Sequence, residues 1–354
     1  MKKGWKNMKL GDVADVIHGK CQKEVISEHG QYPIYGSGGN IMGYANEYIC
    51  EAGTTILGRK GSINNPQFIS SRFWNVDTAF GISAKSGYDN KFIFYFIKNI
   101  DWSKKNTGTT LPSLTQQVVK STPIPVPSLP EQQRIVSYLD AQFAKIDQLK
   151  ENAERQLQTA KDLWQKALNE MLNPQKEWEV KTIPQISINL DSKRIPITSN
   201  KRESGIYPYY GASGIVDYVK DYIFDDTLLL ISEDGANLIA RVTPIAFSIK
   251  GKCWVNNHAH VLKIENDYLR RYIEYYFANL NIREYITGAA QPKLTQGALN
   301  KIGIYIPQKE SELESIVLKL DNLSSNCNHL QTNYTKIITL CNDLKQSLLK
   351  QIFE

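Results

Sequence analysis

The same series of short motifs runs through this chain twice, in the same order. Tyr35-Gly36 returns as Tyr210-Gly211, 175 positions later, and Leu114-Thr115-Gln116 returns as Leu294-Thr295-Gln296, 180 positions later. A repeat of this size within 354 residues leaves room for two copies, so the sequence indicates a tandem duplication. Each copy has a segment that contains glycine and proline, followed by a long segment that contains neither.

The two segments without glycine or proline are predicted to be long helices. They cover 131–173 and 308–354, and every glycine and proline of the chain lies outside them. Apolar residues of the second segment alternate spacings of four and three, the repeat of a coiled-coil seam: Ile316, Leu320, Leu323, Cys327, Leu330, Tyr334, Ile337, Cys341, Leu344 and Leu348. The first segment repeats this pattern less regularly, at Ile135, Leu139, Ile146, Leu149, Ala153, Ala160 and Leu163.

These patterns predict an α+β fold of two pseudo-symmetric globular units joined by a long antiparallel coiled-coil helix pair. The helices must bury their apolar stripes, and two repeats that pair about a two-fold axis bring them together in opposite directions. The predicted parts are a first unit, a first spacer helix, a second unit and a second spacer helix, at 1–127, 128–173, 174–307 and 308–354.

The first helix has a wider apolar face than a two-stranded coil needs. Four residues outside a simple seam widen it: Phe143, Leu157, Trp164 and Leu168. A face of this width favours more than one neighbouring helix. These four residues are therefore candidates for contact with the helices of a partner protein.

The composition is that of an ordinary globular protein, with 42% apolar and 22% charged residues. There is no run of about 18 apolar residues, which argues against a membrane partner. The five cysteines lie far apart and form no CxxC pair. This spacing argues against a disulfide scaffold and against a cysteine-built zinc site, and a cytoplasmic location is expected.

Motifs that would indicate catalysis are weak. Asn65-Pro66-Gln67-Phe68 is similar to a methyltransferase loop, but no glycine-rich cofactor turn follows a first strand. His258 and His260 have the spacing of two metal ligands on a strand. Their counterparts in the first copy, Thr78 and Phe80, could not complete the same site. We expect no catalytic residue, no metal and no cofactor on this chain.

Polar and basic loops are the remaining candidates for a ligand surface. Residues 1–127 carry 15 Lys and Arg against 9 Asp and Glu, and 174–307 carry 16 against 14. Cations and amides suit phosphates and base edges. The candidate residues are Arg59, Lys60, Ser62, Asn64, Lys104, Lys105, Thr109, Lys193, Arg194, Lys201, Arg202, Asn237, Arg241, His258 and Lys293. The copies differ here, because Gly58-Arg59-Lys60-Gly61 corresponds to Glu233-Asp234-Gly235, as expected if one architecture reads two different ligands.

The sequence resembles the specificity subunit of type I restriction–modification systems over essentially its whole length. The most specific stretches are 109–114, Thr-Thr-Leu-Pro-Ser-Leu, and 123–136, Pro-Ile-Pro-Val-Pro-Ser-Leu-Pro-Glu-Gln-Gln-Arg-Ile-Val. The run Trp254–Leu262 is similar as well. The start of the second helix, at 308–313, departs from the expected Pro-x-x-Glu-Gln pattern.

This resemblance implies a non-catalytic DNA reader with two target recognition domains. Each domain would recognise one half of a bipartite, asymmetric target in double-stranded DNA, and the helices would fix the unread gap. Two methyltransferase subunits would dock along the helices, and restriction subunits would complete the complex. S-adenosylmethionine, ATP and magnesium would be bound only by those partners.

Two other readings stay open from the residues. One is an enzyme such as a methyltransferase with its own recognition region, against which the missing cofactor turn counts. The other is a coiled-coil scaffold with two protein- or glycan-binding heads, which the modest charge of the second unit allows. Steep weakening of binding by salt would favour DNA binding over this scaffold reading.

Overall fold

The computed structural model describes residues 4–288 and 291–354. Its contacts divide the chain into two units. Unit 1 comprises the residues up to Glu154 together with Thr335–Glu354, and unit 2 comprises Arg155–Tyr334. Among the described residues, no helix combines the length and the apolar character needed to cross a membrane.

Unit 1 is built around a four-stranded sheet, a three-stranded sheet and a two-stranded ribbon. Its elements are β1 (Lys6–Lys9), α1 (Leu10–Val13), β2 (Ala14–His18), β3 (Tyr32–Tyr35), β4 (Ile41–Ala45), β5 (Thr54–Gly58), β6 (Gln67–Ile69), β7 (Trp74–Asn75), β8 (Ala79–Ala84), α2 (Asn90–Asn99), α3 (Gln116–Ser121), β9 (Pro123–Val126) and the start of α4 (Leu129–Met171). The sheet orders are β2-β8-β5-β6, β4-β3-β7 and β1-β9. All neighbours are antiparallel except β3 and β7.

Unit 2 repeats this plan with one larger sheet. Its elements are β10 (Glu179–Thr182), α5 (Ile183–Ile186), β11 (Ile188–Asn189), β12 (Ser204–Gly211), β13 (Gly214–Val219), β14 (Phe224–Ser232), α6 (Asn237–Ala240), β15 (Ala246–Val255), β16 (Ala259–Lys263), α7 (Asp267–Asn279), α8 (Gln296–Leu299), β17 (Gly303–Ile306) and the start of α9 (Glu310–Phe353). The sheet orders are β11-β16-β14-β15-β12-β13 and β10-β17. Because β15 pairs with both β12 and β14, it joins in one sheet what unit 1 keeps as two.

The core of unit 1 includes the last turns of α9. Phe353 is 9% exposed and lies between two rings of α2, with centroid distances of 5.4 Å to Phe92 and 5.6 Å to Phe96. Leu349 is buried in the same core. The first globular unit is therefore completed by a segment more than 200 residues away in sequence.

The long helices run antiparallel in unit 1, as predicted. The Lys150 ammonium donates to the Asn342 amide oxygen at 3.3 Å, and Lys345 pairs with Asp147, so residue numbers rise in one helix as they fall in the other. In unit 2, the end of α4 and the start of α9 share one apolar core, which contains Leu168 and Leu320.

Only part of the predicted seam is buried. Most of the buried positions lie on one row of each helix: Leu139, Ile146, Ala153 and Ala160 on α4, and Leu320, Cys327 and Cys341 on α9. Ile135, on the other row at the start of α4, is buried as well. Large apolar residues of the other row are exposed: Leu149 and Leu163 on α4, and Leu330, Ile337 and Leu344 on α9. The heptad pattern identifies both rows but does not say which of them the chain itself covers.

The wide apolar face of α4 is covered by helices of the same chain. The Phe143 ring meets Tyr95 of α2 edge-on at 5.3 Å, and Trp164 meets Tyr275 of α7 in the same way at 5.7 Å. Phe143 and Leu168 are 7% and 1% exposed, and Leu157 is half-buried. This corrects the interpretation of the face as a partner surface, because Phe143 and Leu168 are used in the cores of their own units.

In each unit, a tyrosine and a cation on the shorter helix (α2 or α7) bond to one carboxylate on the long helix (α4 or α9). In unit 2, the Asp321 carboxylate accepts from the Tyr275 hydroxyl at 2.6 Å and from Arg271 Nε at 2.7 Å. In unit 1, Asp140 accepts from Tyr95 and, at 2.7 Å, from Lys91. Burial, followed by the bond to Asp321, raises the pKa of Tyr275, so its hydroxyl keeps its proton and remains a donor.

Replacing Asp321 with alanine is expected to lower the free energy of unfolding of unit 2 by about 1–2 kcal/mol, because a buried tyrosine hydroxyl and a guanidinium lose their acceptor. Urea unfolding followed by hydrogen exchange of α7 amides would measure this. Lys319→Ala, at an exposed position of the same helix within unit 2, is the control. A loss no larger than that of the control would show that the link does not stabilise the unit.

Candidate nucleic-acid interface

A loop held by three backbone hydrogen bonds follows a central strand in both units. We call it the cradle: residues 58–65 after β5 and 232–239 after β14. The three bonds in unit 1 join Arg59 N to Thr78 O, Leu114 N to Arg59 O and Gly61 N to Pro112 O, each at 2.8 Å. Those in unit 2 join Glu233 N to His258 O, Leu294 N to Glu233 O and Gly235 N to Pro292 O, at 2.9, 2.7 and 3.0 Å. One backbone frame therefore presents two different sets of side chains.

The cradle of unit 1 is cationic. Lys60 is exposed, while Arg59 is half-buried and donates from Nη1 to the Asp77 carbonyl oxygen at 3.0 Å. No carboxylate is paired with either cation among the residues that the structure describes. Ser62 and Asn64 are exposed in the same loop. This loop therefore offers positive charge that the chain does not neutralise itself.

Other predicted residues lie around this cradle. Asn64 accepts from the backbone N–H of Trp102 at 2.8 Å and so fixes the 3-10 turn Trp102–Lys105 that carries Lys104 and Lys105. Lys104 is exposed and Lys105 half-buried, and Thr109 is exposed in the adjoining loop. Asn106 lies in this loop but is not among the individually predicted residues; its side-chain oxygen accepts from Gly108 N and Ser113 N and shapes the loop. The signal available for it was its position before Thr107-Gly108, a turn favoured by asparagine.

The cradle of unit 2 has acidic residues where that of unit 1 has cations, and these acidic residues have partners within the unit. Glu233 and Asp234 occupy the places of Arg59 and Lys60. His258 Nδ1 lies 2.9 Å from both carboxylate oxygens of Asp234, and Lys293 Nζ lies 3.2 Å from Glu233. His258 and Lys293 are each 48% exposed, so both predicted residues are at the surface of this cradle.

Behind this cradle lies a buried polar network. Arg194 pairs with Glu233 at 2.6 Å and with Asp191 at 3.5 Å, and its Nη1 also donates to the Ala259 carbonyl oxygen at 2.7 Å. His260 lies 2.6 Å from Asp191 through Nδ1 and 2.8 Å from the Leu294 carbonyl oxygen through Nε2. Burial alone would raise the pKa of Asp191, but bonds from His260 and from a backbone N–H hold it below its usual value.

This network also bears on metal binding. Asp191, Glu233 and His260 each offer a ligand atom, and these atoms lie within 4.8 Å of one another. However, the Arg194 guanidinium already supplies the positive charge at their carboxylates. The geometry therefore gives Arg194 a structural role in this network, and both its contact with DNA and the absence of a metal site stay predictions.

Three more predicted residues of unit 2 are engaged in structural contacts. Arg241 donates to the carbonyl oxygens of Leu238, Phe277 and Leu280 and so caps the end of α7, and burial lowers its pKa. Asn237 makes two hydrogen bonds to the backbone of Thr243. Arg202 pairs with Asp217 at 3.2 Å and lies over the Tyr209 ring. By contrast, Lys193 and Lys201 are exposed.

Comparisons with known proteins agree with this geometry. A family model described as "Type I restriction modification DNA specificity domain" matches residues 2–159 and again residues 175–340. A type I restriction enzyme specificity subunit of Haemophilus influenzae is 35% identical over 149 residues, which are 42% of this chain and only 38% of that protein. The EcoprrI specificity subunit of Escherichia coli is 27% identical over 84% of this chain and 78% of that protein.

A solved structure shows the same fold. It comes from work on complex assembly and conformational transition of the type I R-M system, and its chain aligns with a TM-score of 0.76 and 16% identity, over 99% of this chain and 98% of that one. The family model matches well over half of the sequence, once in each half. The chain therefore belongs to the family of type I restriction–modification DNA specificity domains.

Proposed function

We propose that this chain is the sequence-reading subunit of a type I restriction–modification complex, in which each unit reads one half of a bipartite, asymmetric DNA target. The observation that carries the proposal is the cradle, where the same hydrogen bonds hold Arg59 and Lys60 in one unit and Glu233 and Asp234 in the other. A common frame keeps each reading loop in place. The different side chains on the two frames would let each unit recognise a different half-site.

The charges of the two cradles suggest different contributions to binding. The two cradle cations of unit 1, Arg59 and Lys60, pair with no carboxylate within the described part of the chain, so they are available to phosphates or to guanine acceptors. In unit 2, Arg194 and Lys293 pair with Glu233, and His258 contacts Asp234, so this cradle offers DNA less net positive charge and contributes mainly discrimination between bases. On this basis unit 1 provides more of the salt-dependent affinity.

The exposed row of the long helices supports docking of partner helices. Ile337, Leu340 and Leu344 follow one another at spacings of three and four on α9 and are 39%, 52% and 48% exposed. On α4, Leu149 and Leu163 are exposed as well. In this proposal, two methyltransferase subunits bind these exposed apolar stripes. The length of the helices determines how many base pairs lie unread between the two half-sites. Restriction subunits would complete the complex. S-adenosylmethionine, ATP and magnesium would be bound by the partner subunits.

An adenine-methylation map of cells tests the proposal. Cells that express this chain together with the methyltransferase subunit encoded beside it are expected to gain a bipartite methylated motif. The control omits this chain and keeps the methyltransferase subunit. A stable co-purified complex that produces no motif, or a motif that persists in the control, would contradict the proposed role.

A further inference from the structure

A patch of exposed apolar and aromatic side chains recurs at equivalent positions of both units. Part of it lies on the outer strand of a hairpin, β4 in unit 1 and β13 in unit 2. The rest is a tyrosine that follows this strand, Tyr48 in unit 1 and Tyr222 in unit 2. We call it the hairpin patch: Met42, Tyr44 and Tyr48 in unit 1, and Val216, Tyr218 and Tyr222 in unit 2. These side chains are between 36% and 55% exposed, which is high for large apolar groups in two copies.

The backbone presents the patch in the same way in each unit. The pairing of β3 with β4 shifts so that Met42 is the extra residue of a bulge, and the pairing of β12 with β13 does the same for Val216. A glycine lies at the end of each inner strand: Gly36 directly follows β3, and Gly211 is the last residue of β12. A Cβ on Gly36 would lie 3.0 Å from Met42 Sδ, and one on Gly211 would lie 3.2 Å from Val216 Cγ1. Bulges of this kind direct a side chain and are built features of a sheet.

The aromatic part of the patch is fixed in both copies. Tyr48 packs against Tyr32, and Tyr222 packs against Tyr207, each pair with a centroid distance of 5.0 Å. A cation lies over the exposed ring in each case, Arg72 at 4.8 Å and Lys252 at 4.6 Å. The two units thus keep the same chemistry here although their cradles have opposite charges.

This contrast indicates what covers the patch. The two halves of an asymmetric DNA target do not present the same bases, so a base-reading surface is expected to differ between the units. A phosphate-binding surface would be lined by several exposed, unpaired cations, whereas the patch is formed by methionine, valine and tyrosine. Of its two neighbouring cations, Arg72 is paired with Glu51 at 2.8 Å, and Lys252 is exposed and lies over the Tyr222 ring. A ligand that meets both patches therefore presents one apolar protein surface twice.

We infer that the hairpin patches dock two identical copies of one protein subunit, and, resting on the proposed function, that this subunit is the adenine methyltransferase. The turn of each hairpin touches the adjoining cradle. Asn65 Nδ2 donates to Gly38 O at 3.1 Å in unit 1, and the Ser232 hydroxyl donates to Ala212 O in unit 2. A subunit seated on the patch would therefore lie beside the DNA half-site that its own unit reads.

Hydrogen exchange on the full chain tests this docking. Addition of the methyltransferase subunit without DNA is expected to slow exchange at 41–45 and at 215–219. Slowing that requires DNA would overturn the inference and make the patch a DNA contact. A complex that forms and methylates DNA while both segments exchange unchanged would overturn it and leave the proposed function intact. Failure to form any complex would overturn both.

Substitutions separate the two patches. Val216→Thr with Tyr218→Thr keeps β-branched residues in β13 and is expected to weaken capture of one methyltransferase subunit by about tenfold, the loss typical of a central apolar contact. Methylation of the half-site read by unit 2 should fall more than that of the other, and Met42→Thr with Tyr44→Thr should show the reverse. Val242→Thr, at an 84% exposed position of unit 2, is the control. Equal effects of patch and control variants would contradict the inference.

Discussion

Replacing Arg194 with methionine is expected to destabilise unit 2 by about 3–5 kcal/mol, because two largely buried carboxylates lose their main cation. The side chain of Arg194 is 13% exposed, and those of Asp191 and Glu233 are 8% and 13% exposed. Water therefore cannot replace the guanidinium readily. Urea unfolding followed by hydrogen exchange of β14 and β16 amides would measure the loss, with the exposed neighbour Lys193→Met as control.

The same network provides an internal test of this explanation. Adding Glu233→Gln to the Arg194→Met variant removes one of the stranded charges and should recover part of the lost stability. In the native background, Glu233→Gln should itself be destabilising, because it unbalances Arg194 and Lys293. Destabilisation that is simply additive in the double variant would mean that Arg194 acts through packing rather than charge.

Removing both cations of the first cradle, Arg59→Ala with Lys60→Ala, is expected to weaken DNA binding by the complex about 10- to 100-fold at physiological salt. Each phosphate contact contributes about 0.9 to the slope of log affinity against log salt, so the slope should become shallower by about 1–2. Titrations at several salt concentrations would measure both effects. Lys161→Ala with Lys166→Ala removes the same charge from exposed positions of α4 and is the control.

The pattern of the loss identifies the contact that was removed. A uniform weakening across DNA sequences would indicate phosphate contacts. Relaxed preference at one half-site, with the other unchanged, would indicate that Arg59 or Lys60 reads a base. An affinity equal to that of the control would remove the first cradle from the interface.

The long-range organisation could be predicted from the sequence because duplication leaves a direct record. Aligning the two copies pairs Arg59 with Glu233, and these two residues make equivalent backbone hydrogen bonds in their cradles. The antiparallel helix pair follows from two apolar stripes that need burial. What the heptads could not give was which row stays exposed, since Leu344 and Cys341 fit the pattern equally well and only one is buried.

The roles of single cations were harder to predict. From the sequence, Arg194 is predicted to be a surface residue. Its partners Glu233 and Ala259 are 39 and 65 positions away, so no local pattern indicates the contacts. Arg241 likewise meets the end of α7 through carbonyl oxygens, which leave no side-chain signal in a sequence. Composition shows that a loop is basic, but only the fold shows whether its positive charge is already neutralised.

The burial of Phe353 among the α2 rings has a consequence for synthesis of the protein on the ribosome. Unit 2 contains no residue beyond Tyr334, whereas unit 1 needs α9 through its final turn. The domain that is translated first must therefore wait for the second to emerge before its own core can close. At about 5–20 residues per second, that wait lasts on the order of ten to forty seconds, during which apolar surface of α2 is open to chaperones. A chain that terminates before the last turns of α9 would thus lack part of the core of unit 1, although every residue of unit 1 up to Glu154 is present.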